Sequence, residues 1–123
     1  MNRLKTVFVS GVAMMIASAA QAADAAKGKV VFQRCAICHK VDKNGGSGVG
    51  PNLFGIVGRK AGTAPAFSYS VAMKNSGITW TPDKLNAYVA QPSAVVPGNR
   101  MGFGGITDAG QRADLVAYLA TLK

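Results

Sequence analysis

Both cysteines and the single histidine of this 123-residue chain fall within five positions, Cys35-Ala36-Ile37-Cys38-His39. Nothing else in the sequence restricts the fold so strongly. Side chains at i and i+3 stand side by side on a helical turn, so the two thiols face one body and the imidazole follows one residue on. A structural zinc takes four Cys or His ligands, and an iron–sulfur cluster normally takes four cysteines. Two cysteines and one histidine supply neither. A disulfide is the ordinary state of two cysteines in an exported protein, and its redox-active version calls for a βαβ neighbourhood. The sequence has no alternating strand runs from which to build one.

What this spacing does satisfy is covalent attachment of a c-type haem. Cys35 and Cys38 reach two vinyl groups, and His39 points at the iron. A hydrogen-bond acceptor behind the imidazole would select the nitrogen that faces the metal. A closed sixth position gives an electron carrier, whereas an open or labile one gives a haem enzyme or a gas-binding protein. Two methionines beyond the first 22 residues are candidates: Met73 in "VAMKN", on a short helix where methionine usually packs a core, and Met101 in the loop "VPGNRMGFGG".

The amino terminus carries an address. Arg3 and Lys5 precede an apolar run from Val7 to Ala20, and "AQA" follows at Ala20 to Ala22. That is the charged, apolar and small-residue order of a secretory signal peptide, with cleavage expected after Ala22. The run is shorter than the roughly 20 residues of a spanning helix, so an uncleaved anchor is the lesser alternative. Residues 23–123 then form one small domain in the periplasm. Removal of Arg3 and Lys5 leaves 12 basic and five acidic residues, a net charge of +7. Partners should therefore be acidic. Export and the scatter of basic residues without interleaved aromatics argue against nucleic acid.

Helix signals mark four segments. Asp24 caps a helix through "AAKGKVVFQRC", a short helix spans Ser70 to Asn75 and stops at Gly77, and Thr81-Pro82-Asp83 starts one that runs to about Ala90. Thr107 and Asp108 open the last, with Leu115, Val116, Tyr118, Leu119 and Leu122 on its apolar face. The glycine-rich stretch from Val41 to Phe67 reads as loop with at most one turn near Asn52 to Ile56. The stretch "QPSAVVPGNRMGFGG" reads as loop throughout. Loops of such length must wrap something.

Beyond "CAICH", the segments "GPNLFGIVGRKAG", "FSYS", "KNSGITW", "PGNRM" and "RADLVAYL" resemble the mitochondrial-type class I cytochromes c, over almost all of residues 23–123. The resemblance implies an all-α, single-domain fold whose helices and long loops wrap one covalently bound haem. It implies that the Pro51 carbonyl accepts the His39 imidazole proton and that Met101 is the second axial ligand. Arg59, Tyr69, Ser70 and Trp80 would stand near the haem propionates, Tyr88 and Asn99 near the methionine, and Phe103 at the exposed haem edge. Gly28 and Phe32 would cross the last helix at Leu115 and Tyr118. From residue type alone, Tyr69 and Trp80 read as core aromatics and Arg59 as a surface cation.

Two departures stand out. Met73 replaces an asparagine usual in the family near an internal water, and Ser93-Ala94 replace lysines that many relatives use for docking. Lys27, Lys40, Lys43, Lys74 and Arg100 are left as the docking charges. The resemblance thus implies a monomeric, non-enzymatic carrier of single electrons with haem c and His39/Met101 ligation. Its implied partners are acidic faces of a quinol-oxidising complex, a terminal oxidase or a photosynthetic reaction centre, with at most peripheral membrane contact.

Overall fold

The computed structural model describes residues 11–12 and 22–123; the expected leader, residues 1–22, falls almost entirely outside them. The helices are α1 (Ala25–Val31), α2 (Val71–Lys74), α3 (Pro82–Ala90), α4 (Pro92–Val95) and α5 (Ala109–Ala120). Among the described residues there is no strand, only an isolated antiparallel bridge between Lys60 and Thr79.

Four of the helices begin where a side-chain oxygen can satisfy otherwise unpaired N–H groups. Asp24 accepts from Ala26 and Lys27, Ser70 from Met73, Thr81 from Lys84 and Asp108 from Gln111. The first helix is shorter than its sequence pattern. It ends at Val31 and tightens into a 3-10 turn over Phe32–Arg34, where the Cys35 N–H donates to the Phe32 carbonyl at 2.7 Å. The tighter turn carries Cys35 out of the helix. α4 was not expected: Pro92 at its first position is pre-set for helical φ, and the Val96 N–H closes the turn on the Pro92 carbonyl at 2.9 Å.

α1 and α5 cross face to face. Gly28 makes the crossing possible, since a Cβ there would lie 1.9 Å from the Asp114 carbonyl oxygen. The Asp24 N–H donates to the Asp114 carboxylate at 2.8 Å, and Phe32 tilts against Tyr118 with ring centroids 5.4 Å apart. α5 buries Leu115, Val116 and Leu119, each fully buried side chain contributing roughly 1.5–3 kcal/mol. Tyr118, expected on the same face, is half-buried.

Arg112 fastens α5 to α3 and to the chain before it. Its Nε donates to Asn86 Oδ1, and its Nη1 to the Ile106 and Thr107 carbonyls, all within 2.9 Å. The long loop is clipped at several points: Gly58 N–H to the Trp80 carbonyl, Trp80 N–H to Arg59, Ala61 N–H to Ile78 and Gly55 N–H to Leu122. These clips hold its inner face open toward the helices. The loops and helices together enclose a cavity.

Candidate haem site

The cavity has a volume of about 830 Å³. Its walls come from several parts of the fold: Phe32 and Cys35 just after α1, Leu53 and Ile56 from the long loop, Leu85 and Val89 from α3, Leu115 and Leu119 from α5. Protein interiors rarely contain voids larger than a water molecule. An apolar chamber of this size in so small a domain is therefore shaped for a large apolar group, with thiols, an imidazole and two thioethers in its wall.

The Cys35 to His39 segment is a turn closed by Cys38 N–H and His39 N–H, both donating to the Cys35 carbonyl at 3.0 and 2.9 Å. The two cysteines form no disulfide with each other; Cys35 is half-buried and Cys38 exposed. Burial pushes the Cys35 thiol pKa up, opposed by the neighbouring Arg34. His39 Nδ1 lies 2.7 Å from the Pro51 carbonyl oxygen. An acceptor there requires Nδ1 to carry the proton, which leaves the lone pair on Nε2. Burial holds the imidazole pKa below its usual value, and the Pro51 bond only partly offsets this. The neutral ring is the form that binds a metal.

Gly50 is part of the same device. A Cβ there would come within 2.6 Å of the His39 ring, so only glycine leaves the imidazole seated on Pro51. Asn52 anchors the loop behind the ring. Its amide donates to the Asp42 and Gly46 carbonyls, and its Oδ1 accepts the Phe54 N–H in an Asx turn. Neither residue was singled out by sequence, although both lie in "GPNLFG". The Asn-x-Phe turn was the available signal for Asn52.

Met101 is half-buried in the cavity wall and packs on the core. Its N–H donates to Asn99 Oδ1 at 2.8 Å, and Tyr88 Oη lies 3.6 Å from its sulfur. Burial raises the Tyr88 hydroxyl to about 12, which keeps it a proton donor. Met73 also borders the cavity and packs against the core, so wall position alone does not separate the two thioethers.

The remaining sequence candidates all line this chamber. Trp80 is buried and meets Tyr88 at 4.9 Å. Tyr69 is half-buried, its hydroxyl oxygen accepting the Ala64 N–H, and Phe67 stands edge-on to its ring. Ser70 Oγ is committed to capping α2. Arg59 is half-buried and not the plain surface cation its residue type suggests, because the Asn52 and Phe54 carbonyls hold its guanidinium. Phe103 is partly buried at the cavity margin with Arg100 exposed nearby. The other docking candidates, Lys27, Lys40, Lys43 and Lys74, are exposed but lie outside this wall.

Comparison with known proteins agrees with this architecture. The family model for cytochrome c matches residues 25–123. A cytochrome c2 of Rhodomicrobium vannielii is 46% identical over 98% of this chain and 97% of its own length. A cytochrome c2 of Rhodopila globiformis is 48% identical over 81% of this chain and 94% of its own. Among solved structures, cytochrome cH from Methylobacterium extorquens superposes with a TM-score of 0.76 at 43% identity, covering 80% of this chain and 98% of that one. The chain belongs to the cytochrome c family. It has the class I fold, carries covalent haem c and is an electron carrier. No helix among the described residues is long and apolar enough to cross a membrane.

Proposed function

We propose that Cys35 and Cys38 bear the thioethers and that His39 Nε2 and Met101 Sδ take the two axial positions. The observation that carries this reading is the 2.7 Å contact from His39 Nδ1 to the Pro51 carbonyl, which commits the other ring nitrogen to the cavity. When bound, haem iron accepts and releases one electron. The chain's own part is to orient the imidazole, hold the thioether through Asn99 and Tyr88, and exclude water with the apolar wall. Such a pocket favours the reduced state. Arg59, Tyr69, Ser70 and Trp80 are assigned to the propionate side, Tyr88 and Asn99 to the methionine and Phe103 to the haem edge.

The protein acts as a carrier, not an enzyme, in the periplasm, after cleavage behind Ala22. Its partners are acidic faces of a quinol-oxidising complex, a terminal oxidase or a photosynthetic reaction centre. The mature +7 count supports that direction of charge, and Lys40, Lys43 and Arg100 are the docking cations. The bimolecular electron-transfer rate should fall as salt rises through the range where the screening length shrinks to about 8–10 Å. A flat rate would remove those three residues from the docking face.

The ligand assignment is tested by Met101→Ala beside Met73→Ala. The first should open the sixth position, so that the reduced protein binds carbon monoxide readily; the second should leave it closed. Opening in Met73→Ala alone would reverse the assignment. Avid binding by the unaltered protein would turn the reading toward a gas-binding or enzymatic haem protein.

A further inference from the structure

The expected cleavage bond, Ala22–Ala23, is exposed and lies just ahead of α1, which begins at Ala25. Two carboxylates meet at this spot. Asp24 caps α1, and its own N–H donates to the half-buried Asp114 carboxylate on α5 at 2.8 Å. We infer that removal of the leader completes a charge clamp here: the ammonium created on Ala23 pairs with Asp114 and locks α1 across α5 in the processed chain alone. The trigger rests on the cleavage reading above; the pairing belongs to any chain that begins at Ala23.

In the precursor the Ala23 nitrogen is a neutral amide. Hydrolysis adds one water across the Ala22–Ala23 bond, leaving a carboxylate on the leader and an ammonium on Ala23. Successive backbone nitrogens are no more than about 3.7 Å apart, so that ammonium lies within about 6.5 Å of Asp114 Oδ1 at any Ala23 ψ. Screening in physiological salt acts over about 8–10 Å, so the attraction survives it. Ala23 is exposed, so rotation about its own ψ, with Asp24 held, can bring the two charges closer.

The surrounding charges leave Asp114 to this role. Of the other charged groups on α5, Arg112 is turned to Asn86, Ile106 and Thr107, and Asp108 caps the helix start. On α1, Lys27 and Lys29 are exposed, and the Asp24 carboxylate accepts the Ala26 and Lys27 N–H groups. Tyr118 of α5 packs against Phe32.

Helix polarity makes the carboxylates necessary. A cation at a helix N-terminus opposes the macrodipole, so an ammonium beside α1 without an acid partner would weaken that helix. Asp24 and Asp114 reverse the sign. The clamp sits one turn from the close approach of Gly28 to the Asp114 carbonyl, and α1 leads directly to Phe32 and Cys35 in the haem cavity wall. Fixing the crossing therefore fixes one wall of the cavity.

The carboxylates hold the ammonium proton more tightly in the folded chain than in the unfolded one. The stabilisation is thus full below the ordinary α-amino range of about 7.7–8.0 and is lost as pH rises through the folded value.

The test is denaturant unfolding of the haem-loaded chain beginning at Ala23, with its α-amino group free or Nα-acetylated. At pH about 6.5, acetylation should raise the unfolding equilibrium constant about threefold and speed exchange of the α1 amide hydrogens. The difference should disappear by about pH 9.5. Asp114→Asn keeps an acceptor for the Asp24 N–H and removes only the charge, so in it acetylation should no longer weaken the fold. Asp83→Asn, an exposed acid in α3, should keep the full acetylation effect. Equal unfolding of the free and acetylated chains at pH about 6.5, or the same threefold loss in Asp114→Asn, would overturn the clamp. An exported protein whose intact mass begins at a residue other than Ala23 would overturn the trigger and the cleavage reading together, separately from the unfolding comparison.

Discussion

Asn52 and Asn99 perform the same local task, one next to Pro51 and the other in the loop of Met101, and their surroundings differ. Each accepts the N–H two residues on, Phe54 in one case and Met101 in the other. The Asn52 amide then reaches to Asp42 and Gly46, its own N–H goes to Ser47, and its carbonyl holds Arg59. The Asn99 amide reaches only to Val96, three residues away. The histidine side is thus a web across the long loop, whereas the methionine side is a short loop held mainly by local bonds and the Tyr88 hydroxyl. Segments of the second kind open locally at lower free energy. The histidine contact is built to stay closed, and the methionine loop is where any opening should begin.

The largest expected effect comes from the tightest point of the histidine side. Gly50→Ala would put a Cβ 2.6 Å from the His39 ring and force the imidazole off Pro51. Overpacking of this kind costs about 1–3 kcal/mol, and on the proposed ligation the displaced imidazole would also leave the iron, so haem-loaded protein should fall sharply. Gly104→Ala is the matched control three residues after Met101. Its Cβ would meet nothing within 4 Å and it does not line the haem cavity, so yield and unfolding midpoint should hold. Equal damage from the two substitutions would erase the contrast.

The asparagines themselves come next. Asn52→Ala removes three side-chain hydrogen bonds and should cost about 3 kcal/mol in denaturant unfolding of the holoprotein, at about 1 kcal/mol each. Asn99→Ala removes two and should cost about 2 kcal/mol. The sharper distinction is kinetic. Asn99→Ala should speed carbon monoxide entry into the reduced protein far more than Asn52→Ala, despite its smaller global effect. Faster entry in Asn52→Ala would mean that the histidine side is the softer one.

Tyr88→Phe should have the smallest effect of these variants. It removes only the hydroxyl 3.6 Å from the Met101 sulfur while keeping the ring against Trp80. A loss of about 0.5–1.5 kcal/mol is expected. It should appear as faster carbon monoxide entry, with a smaller drop in the unfolding midpoint than Asn99→Ala gives. An unfolding loss matching that of Asn99→Ala would show that the hydroxyl supports the core and not the thioether.

The sequence by itself determined several features that depend on a few consecutive residues. The Cys35 to His39 spacing, the Asp24 cap, the Thr81-Pro82 helix start and the Thr107-Asp108 helix start are local, because each involves residues within about four positions of one another. The family resemblance supplied the fold as a whole. Tertiary structure decided what depends on residues far apart. That Gly28 must lack a Cβ follows from the Asp114 carbonyl 86 positions away, and that Gly50 must lack one follows from where Pro51 holds the His39 ring. The shift from helix to 3-10 turn at Phe32 and the extra turn at Pro92 likewise escaped the local pattern, since helix boundaries move by a residue or two and a single turn carries no periodicity. Arg59 is the plainest case. Its type predicts a solvated cation, and only the packing of the long loop puts two carbonyls on its guanidinium and sets it in the cavity wall. Propensity and capping act over one turn of chain, whereas burial and electrostatic environment are set by whichever distant segments the fold brings alongside.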